Sequence, residues 1–210
     1  EIADSVAQAF LGTRIGCARC HNHPLERYTQ DDYYHFVAFF SRLALQRRNS
    51  DEGETSLHVA TRHVLNLRQQ LTEQQTKLQQ TAEAEQQAEI QKRIVQLEQE
   101  IDQHLKSAVT VRQPRTGVQL IPQHLDRSPA EIPPGVDPRR SLVAWMTDSN
   151  NRYFSGAMVN RLWKHFLGTG LVEPVDDLRA TNPPSNAELW SYLNEQFVQS
   201  DFDLRHVMRL

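Results

Sequence analysis

The chain has 210 residues, of which 39% are hydrophobic, enough to build the core of one large or two small domains. Its 23 Lys and Arg residues against 26 Asp and Glu leave a net charge of -3, which gives no electrostatic basis for binding nucleic acid. No stretch approaches the ~20 apolar residues that span a bilayer, and no basic-then-apolar signal segment opens the chain. Because the sequence starts at Glu1 rather than Met, we expect it to be part of a longer or processed polypeptide.

Two short helices are predicted near the start of the chain. Apolar spacing predicts the first over residues 3–11, ended by Gly12. Thr29 can cap the second, which we expect to run to about Leu45 with an unusually aromatic face. Packing in the core is the simpler interpretation of that face, although together the rings could line a flat apolar cofactor. The face consists of Tyr33, Phe36, Val37, Phe40 and Leu43.

Residues 56–108 contain no Gly or Pro and are rich in Gln, Glu, Lys and Leu, which predicts long helix. Their apolar positions form two heptad seams that are out of phase, so we predict an antiparallel helical hairpin that turns within residues 81–88. Two interpretations are equally supported, a spacer or docking arm and an insertion whose seam only buries itself. The seams are Val64, Leu67, Leu71 and Leu78, then Ile90, Ile94, Leu97, Ile101 and Leu105.

The remainder of the chain predicts an irregular region followed by more helices. Residues 109–140 hold six prolines and little apolar periodicity. Helices are predicted over 141–147 and 153–167, and again from a cap at Ser185 or Asn186. The fold class is therefore mainly α.

The two cysteines of the chain lie in one motif, Cys17-Ala18-Arg19-Cys20-His21. In a C-x-x-C-H pattern each thiol can add across one haem vinyl group to form a thioether, and the histidine that follows can ligate the iron. We therefore predict one covalent haem c, anchored by Cys17 and Cys20, with His21 as the proximal iron ligand.

Other chemistry could use the same residues. Cys17, Cys20, His21 or His23 and one distant histidine could form a zinc site, although the second ligand pair typical of structural zinc is missing. A redox dithiol or a structural disulfide is a further alternative, although the surrounding pattern is helical and lacks the βαβ setting of thioredoxin-like motifs.

The ligand on the other iron face is left open by the sequence. His23 lies too close along the chain to cross the porphyrin easily, and we expect it to form hydrogen bonds near the proximal loop. No local motif recommends any of the other candidates, and an open face that binds small molecules is also compatible with the sequence. The candidates are His35, His58, His63, Met146, Met158 and His165.

Asp176 and Asp177 are adjacent carboxylates, and such neighbours can divide general acid and base roles. Because the surrounding segment is rich in turn formers, a turn or a helix-capping role is the favoured interpretation.

Longer motifs around these features resemble a known family. Phe10-Leu11-Gly12, the stretch from Cys17 through His23-Pro24, Tyr28-Thr29-Gln30-Asp31-Asp32-Tyr33-Tyr34 and Phe39-Phe40 resemble the planctomycete cytochrome c-like domain. Downstream, Asp137-Pro138-Arg139-Arg140, Asn160-Arg161-Leu162-Trp163 and the run from Gly168 to Asp177 resemble the partner domain that commonly follows it. The resemblance implies large extracytoplasmic proteins with further haem or carbohydrate-related modules, and it supports Cys17, Cys20 and His21 as functional positions.

Together these features predict a cytochrome c-like haem region at 1–55, a coiled-coil hairpin insertion at 56–108, a Pro-rich connector at 109–140 and the start of a helical partner domain at 141–210. We expect a periplasmic or otherwise extracytoplasmic electron-transfer module with a redox partner protein. The alternatives are a haem enzyme with an open distal iron site and a zinc-stabilised interaction module. The hairpin could mediate oligomerisation.

Overall fold

A computed structural model describes residues 1–49, 55–60, 62–107 and 109–210. The fold is mainly helical, as predicted. By its packing the chain divides into two compact units, and the first is assembled from three separate stretches of sequence. The first unit comprises Glu1–Phe40, Thr110–Glu131 and Pro138–Leu210, and the second comprises Ser41–Val109 and Ile132–Asp137.

The described helices are α1 (Ile2–Leu11), α2 (Gln30–Ala38), α3 (Arg62–Gln80), α4 (Ala84–Lys106), α5 (Pro138–Met146), α6 (Arg152–Leu167), α7 (Ala187–Gln199) and α8 (Leu204–Val207). Strands β1 (Ala44–Asn49) and β2 (Thr55–Ala60) pair antiparallel, with Ala44 opposite Ala60. Strands β3 (Val111–Arg112) and β4 (Gln119–Leu120) form a second antiparallel pair. None of these helices is long and apolar enough to cross a membrane.

The segment that follows α2 differs from the prediction. Helix α2 ends at Ala38 rather than near Leu45, and the long helix begins at Arg62 rather than at residue 56. Two strands occupy the interval instead. The sequence between them, Ser-Asp-Glu-Gly-Glu, has the composition of a turn, and β2 contains the β-branched residues Thr55 and Val59. Cross-strand pairing therefore replaces the predicted helix in this interval.

The second unit contains the predicted antiparallel helical hairpin. Its arms, α3 and α4, are joined by residues 81–83, within the interval where the turn was predicted. His63 at the start of α3 lies beside His104 near the end of α4, with ring centroids 4.9 Å apart, as an antiparallel arrangement requires. The predicted seams are confirmed, because the side chains buried between the arms are Val64, Leu67, Ile94 and Leu97.

In the first unit, helix α6 packs against both α1 and α7. A cluster of buried apolar side chains fills the space beside α6 and α7, namely Val159, Leu171, Leu193, Phe197 and Val207. Small residues on α6 allow other elements to approach closely. A methyl group at Gly156 would lie 2.8 Å from the Trp190 ring, so α7 packs here directly onto the helix backbone.

Gly12 ends α1 in a left-handed conformation, with φ 60°, as the sequence predicted for the helix terminus. The Leu178 amide donates to the Gly12 carbonyl at 2.7 Å, and a Cβ at Gly12 would lie 2.6 Å from the Leu178 side chain. Gly12 is therefore required both by its backbone conformation and by the close approach of a distant segment.

We expect Gly12→Ala to lower the free energy of unfolding of the first unit by about 2 to 4 kcal/mol, because it adds a steric clash to backbone strain. The matched control is Gly168→Ala, since Gly168 also ends a helix with positive φ but has nothing within 4 Å of its Cβ position. Its cost should be about 1 kcal/mol. Urea unfolding followed by tryptophan fluorescence measures this unit, which contains every tryptophan of the chain. Equal losses in the two variants would contradict the predicted clash.

Candidate functional site

The Cys17–His21 motif lies on an exposed turn between α1 and α2. A 3₁₀ turn spans Gly16–Arg19, and the buried side chains of Ile15 and Ala18 anchor it to the core. Both cysteines are exposed free thiols. The spacing of the motif thus directs its small alanine inward and its reactive side chains toward solvent.

The His21 ring has one nitrogen engaged. Its Nδ1 lies 2.7 Å from the Asn22 backbone carbonyl. Because a carbonyl oxygen can only accept, Nδ1 carries the proton and the lone pair of the neutral ring is on Nε2. A backbone carbonyl that fixes the tautomer in this way is the usual second contact of a metal-binding histidine. The position of Asn22 is itself fixed, since its side-chain oxygen accepts from the Gln30 amide at 3.1 Å.

His23 uses both ring nitrogens within the loop. Its Nδ1 accepts from the Leu25 amide at 3.2 Å, so Nε2 is the protonated nitrogen, and it donates to the Arg14 carbonyl at 3.0 Å. The His23 amide donates to the Tyr28 carbonyl at 2.8 Å. The hydrogen-bonding role expected for His23 is thus what the structure shows, and the residue closes the loop around the motif.

Helix α2 holds the motif from the other side. The Gln30 side chain donates to the Arg19 carbonyl at 3.0 Å, and the Tyr34 hydroxyl donates to the same oxygen at 3.3 Å. Gln113, which is 2% exposed, binds Gln30 in turn through its side-chain amide at 3.2 Å. The otherwise irregular stretch 110–131 therefore supports the helix that supports the motif.

The first turn of α2 contains the predicted cap and an ion pair. Thr29 and Asp32 form a capping box, and Arg127 binds the Asp32 carboxylate through Nε and Nη2 at 3.0 and 2.9 Å. Burial opposes ionisation of Asp32, but the hydrogen bonds from Arg127 and Thr29 outweigh it and lower the pKa of this carboxyl. Asp32 is thus a structural anion at the positive end of the helix.

The aromatic face of α2 is core packing, the simpler of the two interpretations. Phe36 and Phe39 are 0% and 1% exposed, and the Phe36 ring contacts those of Phe39 and Phe40 edge-on at centroid distances of 6.0 and 5.8 Å. The Tyr33 hydroxyl donates to Asp4 at 3.2 Å, and burial, with the nearby Asp4 charge, raises the pKa of Tyr33 to about 12. These rings are buried and pack against their own neighbours.

Four of the six candidates for the other iron face have contacts of their own in the first unit. The His35 Nδ1 lies 2.6 Å from the Ile121 carbonyl, and His165 meets the Phe166 ring edge-on. Met146 is 7% exposed in α5, and Met158 packs against the cluster of α6 and α7.

The other two candidates, His58 and His63, belong to the second unit. The side chain of His58 lies outside the described residues, and the His63 ring is tilted against that of His104. Burial, together with the charges of His63 and Arg42, lowers the pKa of His104. The structure thus singles out none of the six residues that the sequence offered as a second ligand to a haem.

Asp176 and Asp177 do not behave as an acid–base pair. Asp176 pairs with Arg14 at 2.5 Å and accepts from Gln8; these bonds outweigh burial and lower the pKa of Asp176. A general acid at neutral pH needs a raised pKa instead. Asp177 is 8% exposed, pairs with Arg179 at 3.6 Å and donates its amide to the Pro174 carbonyl at 3.0 Å. The favoured turn interpretation therefore agrees with the geometry.

Among the described residues, no group of three or more His, Cys, Asp or Glu side chains is arranged to hold a metal ion. The zinc alternative needs a fourth ligand besides those of the motif and His23. The described part of the chain contains no such set of ligands.

A cluster around His124 was missed by the sequence reasoning. The His124 ring is 8% exposed and lies between the rings of Phe39 and Trp145, with centroid distances of 5.3 and 5.0 Å. Asp126 accepts from the Trp145 indole at 2.8 Å and from the Ser128 hydroxyl at 2.6 Å. His124 and Asp126 lie in a stretch without periodicity, and no local pattern indicates that Trp145 of α5 covers them.

This cluster predicts a pH-dependent stability. Burial lowers the pKa of His124 below its ordinary value of 6.5, although the Asp126 charge and hydrogen bonds with Ser141 and Ser128 oppose the effect. A histidine with a lowered folded-state pKa stabilises the fold above its unfolded pKa, and that stability is lost as pH falls below about 6.5. His124→Phe should keep the ring stacking and flatten the pH dependence.

The measurement is the urea midpoint from pH 7.5 to 5, followed by tryptophan fluorescence. The control is His165→Phe, which removes an exposed histidine from the same unit and should keep the wild-type pH slope. If His124→Phe and wild type lose stability in parallel over this range, His124 is not the group that titrates.

The ends of the chain match two family models. Residues 1–44 match PSCyt2, a protein of unknown function (DUF1549), and residues 138–210 match PSD1, a protein of unknown function (DUF1553). These families are planctomycete cytochrome-c-associated domains that are typically found together in longer polypeptides, which confirms that part of the resemblance. No curated protein and no solved structure matches the chain. Apart from residues 41–44, both matched segments lie in the first unit.

Proposed function

We propose that the chain is a c-type cytochrome module that carries one covalent haem and transfers electrons to or from a redox partner protein. The observation that supports this most directly is the state of the motif. Cys17 and Cys20 are free and exposed, and the His21 tautomer keeps Nε2 available, on a loop that the hydrogen bonds of Asn22 and His23 hold in place.

The side chains of the motif are of the types that hold a covalent haem. Cys17 and Cys20 would hold the haem through thioethers, and His21 would ligate its iron. When bound, the haem supplies reversible one-electron chemistry. The protein's own part is to fix the loop, with His23 closing it and Gln30 holding the Arg19 carbonyl, so that ligand and anchors keep one arrangement in both redox states.

The proposal extends to location and partners. Covalent haem is attached outside the cytoplasmic membrane, so a periplasmic or other extracytoplasmic location follows from it. The two matched domains typically occur in longer polypeptides, and the rest of such a polypeptide is the nearest source of a redox partner. Oligomerisation through the α3–α4 hairpin belongs to the same proposal.

Expression of the chain with a c-type maturation system tests haem attachment. We expect a pyridine haemochrome spectrum typical of two thioethers, with one haem per chain that stays bound after denaturation. The double variant Cys17→Ala, Cys20→Ala should lose covalent haem completely. The control His206→Gln removes a histidine that is not a candidate iron ligand and that bonds Gln196 instead, and it should keep full occupancy. Wild-type protein without covalent haem would refute the proposal.

Added cyanide or azide tests whether the haem transfers electrons or binds small molecules. A ferric haem with two protein ligands is low-spin and should resist both anions, as expected for electron transfer. Rapid binding without loss of a native ligand would instead favour the haem enzyme with an open distal face. His21→Ala should change the spin state of the ferric haem while the thioethers stay intact, because only the iron ligand is removed.

A further inference from the structure

One short segment of the chain binds both ends of the loop that carries the motif. The contacts are made by every second residue of this segment, at positions 176, 178 and 180. The Asp176 carboxylate pairs with Arg14 at 2.5 Å, and the Leu178 amide donates to the Gly12 carbonyl at 2.7 Å. Both contacts lie just before the motif. The Ala180 amide donates to the Glu26 carboxylate at 3.1 Å, just after it. One short segment thus bridges the entry and the exit of the motif loop.

Arg14 contacts both the 176–180 segment and a residue of the motif loop itself. Its guanidinium binds Asp176, while its backbone carbonyl accepts from the His23 ring at 3.0 Å. The Asp176 side chain is 15% exposed and also accepts from Gln8 of α1, so it is held from two directions. A partly buried ion pair of this kind is screened less by salt than an exposed one.

Arg14, one partner of the ion pair, lies next to the motif along the chain. It precedes Cys17 by three residues, and its backbone carbonyl accepts from His23, which lies two positions after His21. A carboxylate near a redox centre stabilises its more positive oxidised form, and a guanidinium does the opposite.

We propose that Asp176 is a positioning residue for the Cys17–His21 motif: through Arg14 it fixes the loop, and its charge tunes the redox potential of the group bound there. The redox part rests on the proposed haem function, whereas the positioning part does not. The segment 138–210 thereby has a role at the motif, contributed from the far end of the chain.

Hydrogen exchange on the full chain without cofactor tests the positioning. The amides of Ala18 and His23 report on the loop, because each is hydrogen-bonded within it, to Ile15 and Tyr28 respectively. Asp176→Asn and Arg14→Gln should each speed their exchange by about three- to tenfold, and Arg14→Lys should partly restore protection. The matched control is Lys164→Gln, which removes the 2.9 Å pair with Glu173 elsewhere in the same segment and should leave both amides unchanged.

Unchanged exchange in both Asp176→Asn and Arg14→Gln overturns the positioning role. The same acceleration in Lys164→Gln also overturns it, because the effect would then be a general loss of stability. The outcome is read without haem, so it stands whether or not the chain proves to be a cytochrome.

The midpoint potential of the haem-loaded chain tests the electrostatic part. Asp176→Asn should raise the potential and Arg14→Gln should lower it, because the two variants remove charges of opposite sign. A merely structural disturbance would shift both potentials in the same direction, and that result, or the absence of any shift, overturns the tuning role. If the wild-type chain binds no haem, the proposed haem function is refuted by its own test. The positioning role of Asp176 is then decided by the hydrogen-exchange experiment alone.

Discussion

The close contact between Leu178 and Gly12 is the constraint on which the rest of the first unit depends. It requires a glycine because α1 ends in a left-handed conformation and because no side chain fits beneath Leu178. It also joins residues that are far apart in sequence, so ordering them costs loop-closure entropy that the contact and its neighbours must offset. Arg161 of α6 adds to the same junction by donating to the Gln8 carbonyl at 3.0 Å.

The loop that carries the motif is held by two sets of contacts, or routes. One runs through Arg14 and the His23 ring, and the other runs through α2, where Gln30 binds the Arg19 carbonyl and is itself held by Gln113. Because each route ends on a backbone carbonyl of the loop, neither uses Cys17, Cys20 or the His21 Nε2. The loop is thus formed by groups that do not take part in the proposed chemistry, an arrangement that favours preorganisation of a binding site.

The two matched families fall at the ends of the chain, yet the structure places nearly all of both segments in one compact unit. Residues 110–131, which match neither model, belong to that unit as well and contribute Gln113 and the His124 ring to it. In this chain, then, the limits of the sequence families are not the limits of a folding unit. The α3–α4 hairpin and strands β1 and β2 make up most of the second unit, and their core is a seam between two helices.

The sequence alone determined the elements whose signals are local. The Thr29 cap, the glycine at the end of α1 and the two seams of the hairpin follow from hydrogen bonding and periodicity within a few turns of chain, and all were predicted correctly. The C-x-x-C-H motif is also local, and together with the longer motifs that resemble the planctomycete family it is the basis in the sequence for predicting haem. Strands β1 and β2 were missed because pairing with a partner strand overrode a composition that resembles helix.

Only the tertiary structure decided what surrounds the motif. Nothing in the sequence distinguishes Arg14 or Gln113, and Asp176 was noted only as a neighbour of Asp177. The roles of all three come from contacts across more than eighty residues that no local period encodes. The same holds for His124, whose ring lies between Phe39, the residue that follows α2, and Trp145 of α5. Local hydrogen bonds and hydrophobic periodicity depend on residues that are neighbours in sequence. The partners of a buried polar group depend instead on which distant segments the fold brings together.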